Sequence, residues 1–203
     1  MATLTLSLIA YLIGSLSFAV ITSRAFGLPD PRSYGSGNPG ATNVLRTGKR
    51  AAAALTLLGD SVKGWLAVFI AGRFAEVDAA EMTMGAAAVA VIIGHMYPVF
   101  FRFKGGKGVS TALGVLAALN LYAAAGTLAT WLVVAAFFRI SSLSALVAAL
   151  FAPFFMLILY SPTHPFFISM TIVSALLIWR HKSNIRNLLA GTEGRLDAKK
   201  DSV

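Results

Sequence analysis

Residues 109–138 read VSTALGVLAALNLYAAAGTLATWLVVAAFF, thirty positions without a charged side chain. Lys104 and Lys107 stand before this run and Arg139 stands directly after it. A helix needs about 20 apolar residues, at about 1.5 Å each, to cross the hydrocarbon of a bilayer. Thirty residues therefore hold one full crossing but not two, with a turn near Asn120. Either residues 109–119 form a short helix set inside a bundle, or residues 109–138 form a re-entrant hairpin. Irregular backbone at membrane depth survives only when it is buried in protein or lines a wet cavity, so a cavity is expected near Gly105 to Thr111.

Working outward, further apolar runs cover Ala2 to Thr22, Ala54 to Gly72, Met82 to Phe101, Leu143 to Tyr160 and Phe166 to Trp179. Across the 203 residues, charged side chains are 12%, about half the usual share for a soluble domain, and the mean hydropathy is +0.76. This composition is that of a membrane protein, all-α, with seven spans in one multi-pass domain over residues 1–203. No basic segment precedes the first run, as a cleaved signal would require, so that helix is expected to stay, with its N-terminus outside.

When the connecting segments are assigned alternately to the two sides, the cations sort. One side receives Arg24, Arg32, Arg46, Lys49, Arg50, Arg102, Lys104, Lys107, Arg139 and the tail cations from Arg180 to Lys200. The other receives only Arg73, beside Glu76, Asp78 and Glu81. Basic loops mark the cytoplasm, so the short tail from about residue 180 is expected there. The net charge of +9 then reflects a membrane partner and no nucleic acid. Cysteine is absent, which removes disulfides, thiolate chemistry and iron–sulfur clusters, and three His among scattered acids offer no metal cage. No cofactor is expected.

The loop from Ser23 to Arg50 contains Gly35-Ser36-Gly37-Asn38-Pro39-Gly40-Ala41-Thr42-Asn43-Val44-Leu45-Arg46. Its glycines match G-x-G-x-x-G, and Asp60 lies twenty residues beyond Gly40. The dinucleotide fingerprint nevertheless has to join a strand to a helix, and the flanks here are membrane helices. What remains is a turn-rich loop whose backbone N–H groups and forked Arg46 suit a phosphate.

A second constellation runs from Gly94-His95-Met96-Tyr97-Pro98 to Phe103-Lys104-Gly105-Gly106-Lys107-Gly108. It lacks the ending of a Walker loop, so ATP is not implied. Two lysines bracketing a diglycine at the mouth of a helix supply charge and free donors for an oxyanion. Positive-inside anchoring would explain the lysines but not the glycines. His95, within its span, is either a site residue or a satisfied structural histidine. Asp60 and Lys63, at i and i+3, are read as a structural pair, and His164 as a loop residue.

The third group is Arg180-His181-Lys182-Ser183-Asn184, with Gly191-Thr192-Glu193 behind it. If the helix continues, His181 and Asn184 share a face. Ser142 is a helix cap unless a site recruits it. The end from Thr192 is expected to be loose.

Taken together and in this order, Gly35 to Arg46, Gly94 to Gly108 and His181 to Glu193 resemble the bacterial membrane glycerol-3-phosphate acyltransferases that use acyl phosphate, the PlsY type. The resemblance covers nearly the whole chain, and one departure is Asn187, where the pattern often has Arg. It implies acyl transfer from acyl phosphate to glycerol 3-phosphate in the bacterial cytoplasmic (inner) membrane, the first acylation of phospholipid synthesis. Lysophosphatidic acid and inorganic phosphate would be released, and another enzyme would supply the acyl phosphate. The site would face the cytoplasm. By matching positions it would be lined by Ser36, Thr42, Asn43, Arg46, Lys104, Gly105, Gly106, Lys107, Ser142, His181, Asn184 and Glu193, with Gly37 and Asn38 in the phosphate loop. Lys104, Arg46, His181, Asn184 and Ser142 would carry catalysis.

The residues accommodate that chemistry. Two phosphorylated substrates repel one another in a low dielectric, so fixed cations and N–H donors are needed to hold both. The acyl chain can stay among the helices. The His-x4-Asp pattern of other acyltransferases is missing, because five residues beyond His95, His164 and His181 stand Phe100, Ser169 and Arg186. An acyl phosphate is already activated, so direct attack by the glycerol hydroxyl is expected, with a substrate phosphate oxygen or else His181 taking the proton. The rival readings are a transporter of an organic phosphate, which should show repeated halves, and an assembly protein, which leaves the glycine–lysine clusters without a purpose.

Overall fold

The computed structural model describes residues 1–196, all helix and loop. Ten α-helices follow in order: α1 Ala2–Gly14, α2 Phe18–Ala25, α3 Ala41–Leu45, α4 Arg50–Phe74, α5 Ala80–Met96, α6 Val109–Leu119, α7 Leu121–Phe138, α8 Ser141–Leu159, α9 Pro165–Arg180 and α10 Lys182–Leu189. Five segments are long and apolar enough to cross a membrane: 2–25, 50–74, 77–101, 121–138 and 141–159. The shorter apolar helices α6 and α9 complete the seven expected from hydropathy.

The first run is not one helix. Ser17 takes an extended conformation between α1 and α2, and the Leu16 carbonyl freed by this break accepts the Lys63 ammonium at 2.6 Å. Gly14, Ser15 and Ser17 are the local sign of this break, but the partner that satisfies the broken backbone stands 47 residues away.

The thirty-residue run resolves as a short helix followed by a full one. Asn120 ends α6 and caps α7, its Oδ1 accepting from Tyr122 N and Ala123 N at 3.0 and 3.1 Å. The stub α6 is held by α4 at backbone contact. A Cβ on Gly114 would run into the Ser61 carbonyl, and one on Gly64 into the Thr111 carbonyl. Only hydrogen at both places lets the two helices approach so closely. The core then fills with small and aliphatic side chains, among them Val91, Ile92, Val115, Leu116, Met156, Met170 and Val173, all buried.

Contacts across the chain sort the loops into two ends. At one end Arg32 reaches Phe101 O, Thr42 meets Ser141, Lys107 meets Asn184 and Leu196 N donates to Arg139 O. At the other Thr3 meets Thr83, Glu81 meets His164 and Asn120 meets Tyr160. The basic segments therefore gather opposite the N-terminus. Of the end expected to be loose from Thr192, residues 197–203 lie outside the described residues and 192–196 are tied down. Leu196 N bonds Arg139 O at 2.7 Å and Glu193 bonds Ser142, so this stretch folds back over the start of α8. The tail cations Lys199 and Lys200 lie outside the described residues.

Candidate active site

At the basic end a cavity of about 1100 Å³ opens between the 28–47 loop, α6, α7, α8 and α9. One part of its wall is polar: Ser36, Asn38, Thr42, Arg46, Lys107, Ser142, His181, Asn184 and Glu193. The other part is apolar and reaches into the bundle past Leu113, Leu116, Leu128, Trp131, Met170 and Val173. On α8 the wall is made by Ser142, Ala145, Ala148, Ala149 and Ala152, spaced for a single helical face. These alanines escaped the sequence reading. Their i, i+3, i+7 spacing is legible, but it does not reveal that the small side chains leave a space that no neighbour fills.

The loop is shaped by α3. Asn43 is buried, with Nδ2 donating to Pro31 O at 2.7 Å and Tyr34 O at 3.2 Å, and Oδ1 accepting from Ser36 N at 3.1 Å. Both its amide atoms bond within the loop, so it braces the turn that carries Ser36 and Arg46, and it also lines the cavity itself. Gly35 has φ +58°, and a Cβ there would meet Asn43 Oδ1 and crowd Arg46. The Arg46 guanidinium lies between Gly35 and Gly194 and has no carboxylate partner among the described residues. Thr42 Oγ1 touches Ser141 Oγ at 3.1 Å.

Opposite, one carboxylate gathers three elements. Glu193 Oε1 accepts from Ser142 Oγ at 2.6 Å and from Asn184 Nδ2 at 2.6 Å, while Asn184 Oδ1 accepts from Lys107 Nζ at 2.5 Å. Ser142 thus bonds Glu193 at the cavity wall and does not cap α8, whose N-cap is Ile140. Burial is the main influence holding the Lys107 ammonium below the usual lysine range, with nearby Glu193 opposing it.

His181 lies at the break between α9 and α10, so the helix does not run on to Asn184, yet both are buried and both line the cavity. Its Nδ1 lies 2.7 Å from Leu177 O. A carbonyl only accepts, so Nδ1 carries the proton and Nε2 keeps its lone pair. Burial pushes this imidazole down to about 4, which leaves it neutral at physiological pH.

Not every expected residue joins this cavity. Lys104, Gly105 and Gly37 line a neighbouring hollow of about 310 Å³, with Arg32 and Arg180. Gly106 lines neither cavity, and a Cβ there would meet His95 Nε2 and Pro39 O. Among the described residues no group of three or more His, Cys, Asp or Glu side chains could hold a metal.

Comparisons with known proteins match this architecture. A family model described as glycerol-3-phosphate acyltransferase matches residues 4–191. A glycerol-3-phosphate acyltransferase of Cupriavidus taiwanensis is 57% identical over 201 residues, 98% of this chain and 99% of that one. One from Burkholderia multivorans is 57% identical over 204 residues, covering 100% and 95%. Two crystal structures of PlsY, an integral membrane glycerol 3-phosphate acyltransferase, superpose closely. The glycerol 3-phosphate form gives a TM-score of 0.89 at 37% identity over 96% of each chain. The lysophosphatidic acid form gives 0.88 at 36% identity over 96% of this chain and 95% of that one. The chain belongs to the PlsY-type glycerol-3-phosphate acyltransferase family.

Proposed function

We propose that this acyltransferase takes its acyl group from acyl phosphate and passes it to glycerol 3-phosphate, releasing lysophosphatidic acid and inorganic phosphate. The observation that carries the reading is that a single cavity is cationic at one end and apolar at the other. An amphiphilic donor fits such a volume with its phosphate by Arg46 and Lys107 and its chain along the α8 alanines. By the positive-inside argument the polar end faces the cytoplasm of a bacterial inner membrane. An enzyme that makes acyl phosphate supplies the donor.

In the transfer, the glycerol hydroxyl oxygen bonds to the acyl carbonyl carbon, the bond from that carbon to the phosphate oxygen breaks, and phosphate leaves. No covalent acyl-enzyme is needed. Ser142 donates to Glu193, and no described histidine bonds to it, so the site lacks an activated serine of the hydrolase kind. The hydroxyl proton passes to a substrate phosphate oxygen, whose second pKa near ~6 suits neutral pH. His181 supports a second reading because it lines the cavity while its Nδ1 is engaged by Leu177 O, leaving Nε2 with a lone pair. A group lowered to about 4 is, however, the weaker base. Arg46, Lys107 and the loop N–H groups hold the charge that builds up on the leaving phosphate.

The test is an assay of purified protein with glycerol 3-phosphate and either acyl phosphate or an acyl thioester. Lysophosphatidic acid and phosphate in equal amounts from acyl phosphate alone support the proposal. Product from the thioester only would overturn the donor assignment. Uptake into vesicles without product would favour an organic-phosphate transporter.

A further inference from the structure

The reaction above makes no use of a charged cluster buried under the glycine–lysine loop. Lys63 Nζ lies 2.7 Å from Asp60 Oδ1 and 2.6 Å from Leu16 O, where the first span breaks. Asp60 Oδ1 lies 3.6 Å from His95 Nδ1, which also meets Thr111 Oγ1 at 3.2 Å. All four side chains are at least nine-tenths buried, and Asp60 and His95 form part of the cavity wall. Ion pairs of this kind are poor stabilisers compared with apolar packing, so stability alone does not account for three charged or titratable groups here.

His95 grips the loop in two ways. Its carbonyl accepts the Gly106 N–H at 3.1 Å, and its ring lies so close that a Cβ on Gly106 would meet Nε2. A Cβ on Gly105 would strike the same His95 carbonyl. From the other side Arg180 donates to Gly105 O at 3.0 Å and to Gly106 O at 3.2 Å. The residue after this clamped pair is Lys107.

We propose that Asp60, Lys63, His95 and Thr111 form a positioning unit that fixes the Gly105–Gly106 backbone, and with it the phosphate group held beside Lys107. The inference rests on the phosphate reading of the Lys107 end. His95 acts through the loop, and Asp60 and Thr111 act through the orientation of the His95 ring. A backbone set this way holds the anion donors within the few tenths of an ångström that charge stabilisation needs.

The experiment compares His95→Leu, the nearly isosteric Thr111→Val and the double variant with the parent protein. Size-exclusion profile and melting temperature are read first, then KM for glycerol 3-phosphate and for acyl phosphate separately. Direct titration of glycerol 3-phosphate reads binding without any acyl donor, so failure of the donor assignment stays distinguishable from failure of this inference. Expected are a folded Thr111→Val with one of the two KM values raised several-fold, and His95→Leu with that same KM raised at least tenfold and kcat changed less. The double variant should be no worse than His95→Leu, because Thr111 acts only through the ring. Both KM values at parent level in folded Thr111→Val, or effects that multiply in the double variant, would overturn the proposal. If His95→Leu does not fold, Thr111→Val decides alone, and its own unfolding would reduce the cluster to a structural role.

Discussion

Lys107 and Asn184 are 77 residues apart and joined at 2.5 Å, and through Asn184 the lysine is tied to Glu193 and Ser142. A cation from the glycine loop is thus aimed by an amide from α10, whose position depends on a carboxylate from the returning tail. The position of the Lys107 ammonium is set by a clasp of three elements, not by the loop alone.

Removing either cation that faces the cavity should abolish most turnover while sparing the fold. Lys107→Ala and Arg46→Ala are each expected to lower kcat/KM by about 100-fold or more, the scale of losing one fixed donor to a developing oxyanion. Steady-state rates on purified variants with parent-like size-exclusion profiles check this. Activity near the parent level in both would remove them from the site.

Glu193→Ala should cost stability as well as rate, since Asn184 and Ser142 lose a shared partner together. About 1–3 kcal/mol is expected from leaving such groups unmatched, seen as a lower melting temperature in detergent. Ser142→Ala removes one donor and should fall between this variant and the parent.

Acidification should weaken the fold through His181. Its folded-state value of about 4 lies below the ordinary 6.5, so between these values the unfolded chain binds a proton that the folded chain refuses. The stabilisation is complete above pH about 6.5 and is lost as pH falls toward 4, by about 3 kcal/mol in all. Melting temperature against pH should lose this slope in His181→Gln. The same variant should keep the parent's rate profile between about pH 6 and 8, whatever its absolute rate, if a substrate phosphate accepts the proton. Disappearance of a limb in that range would make the histidine the base.

Ala152→Leu should shorten the acyl chains accepted. Ala152 is buried at the deep end of the α8 wall, and three added carbons occupy space the chain needs. Competition between donors of different length is the measurement, with KM for glycerol 3-phosphate unchanged. An unaltered length preference would place the chain elsewhere.

Much of this was legible because bilayer thickness leaves few choices. Runs such as Leu143 to Tyr160 have one use, and the sorting of Arg46, Lys107 and Arg139 to one end follows from the same constraint. Glycine beside lysine in 104–108 suggests the anion chemistry proposed above for an equally physical reason, since backbone donors need open approach. What escaped depends on distant partners. Asn43 lines the cavity as expected, but its amide also ties the loop together through Pro31, Tyr34 and Ser36, which its place in the sequence does not show. Lys104 looked like the twin of Lys107 but lies in the neighbouring hollow. The break at Ser17 and the return of Glu193 over Ser142 are tertiary events that hydropathy does not encode.

The central claim is that one cavity holds the phosphate at its cationic end and the acyl chain along α8. A structure with a non-hydrolysable acyl phosphonate tests it most directly. The account predicts the phosphonate within hydrogen-bond reach of Arg46 and Lys107, with its chain against Ala145, Ala149 and Ala152. A phosphonate remote from both cations, or a chain lying on the outer face of the bundle, would contradict it.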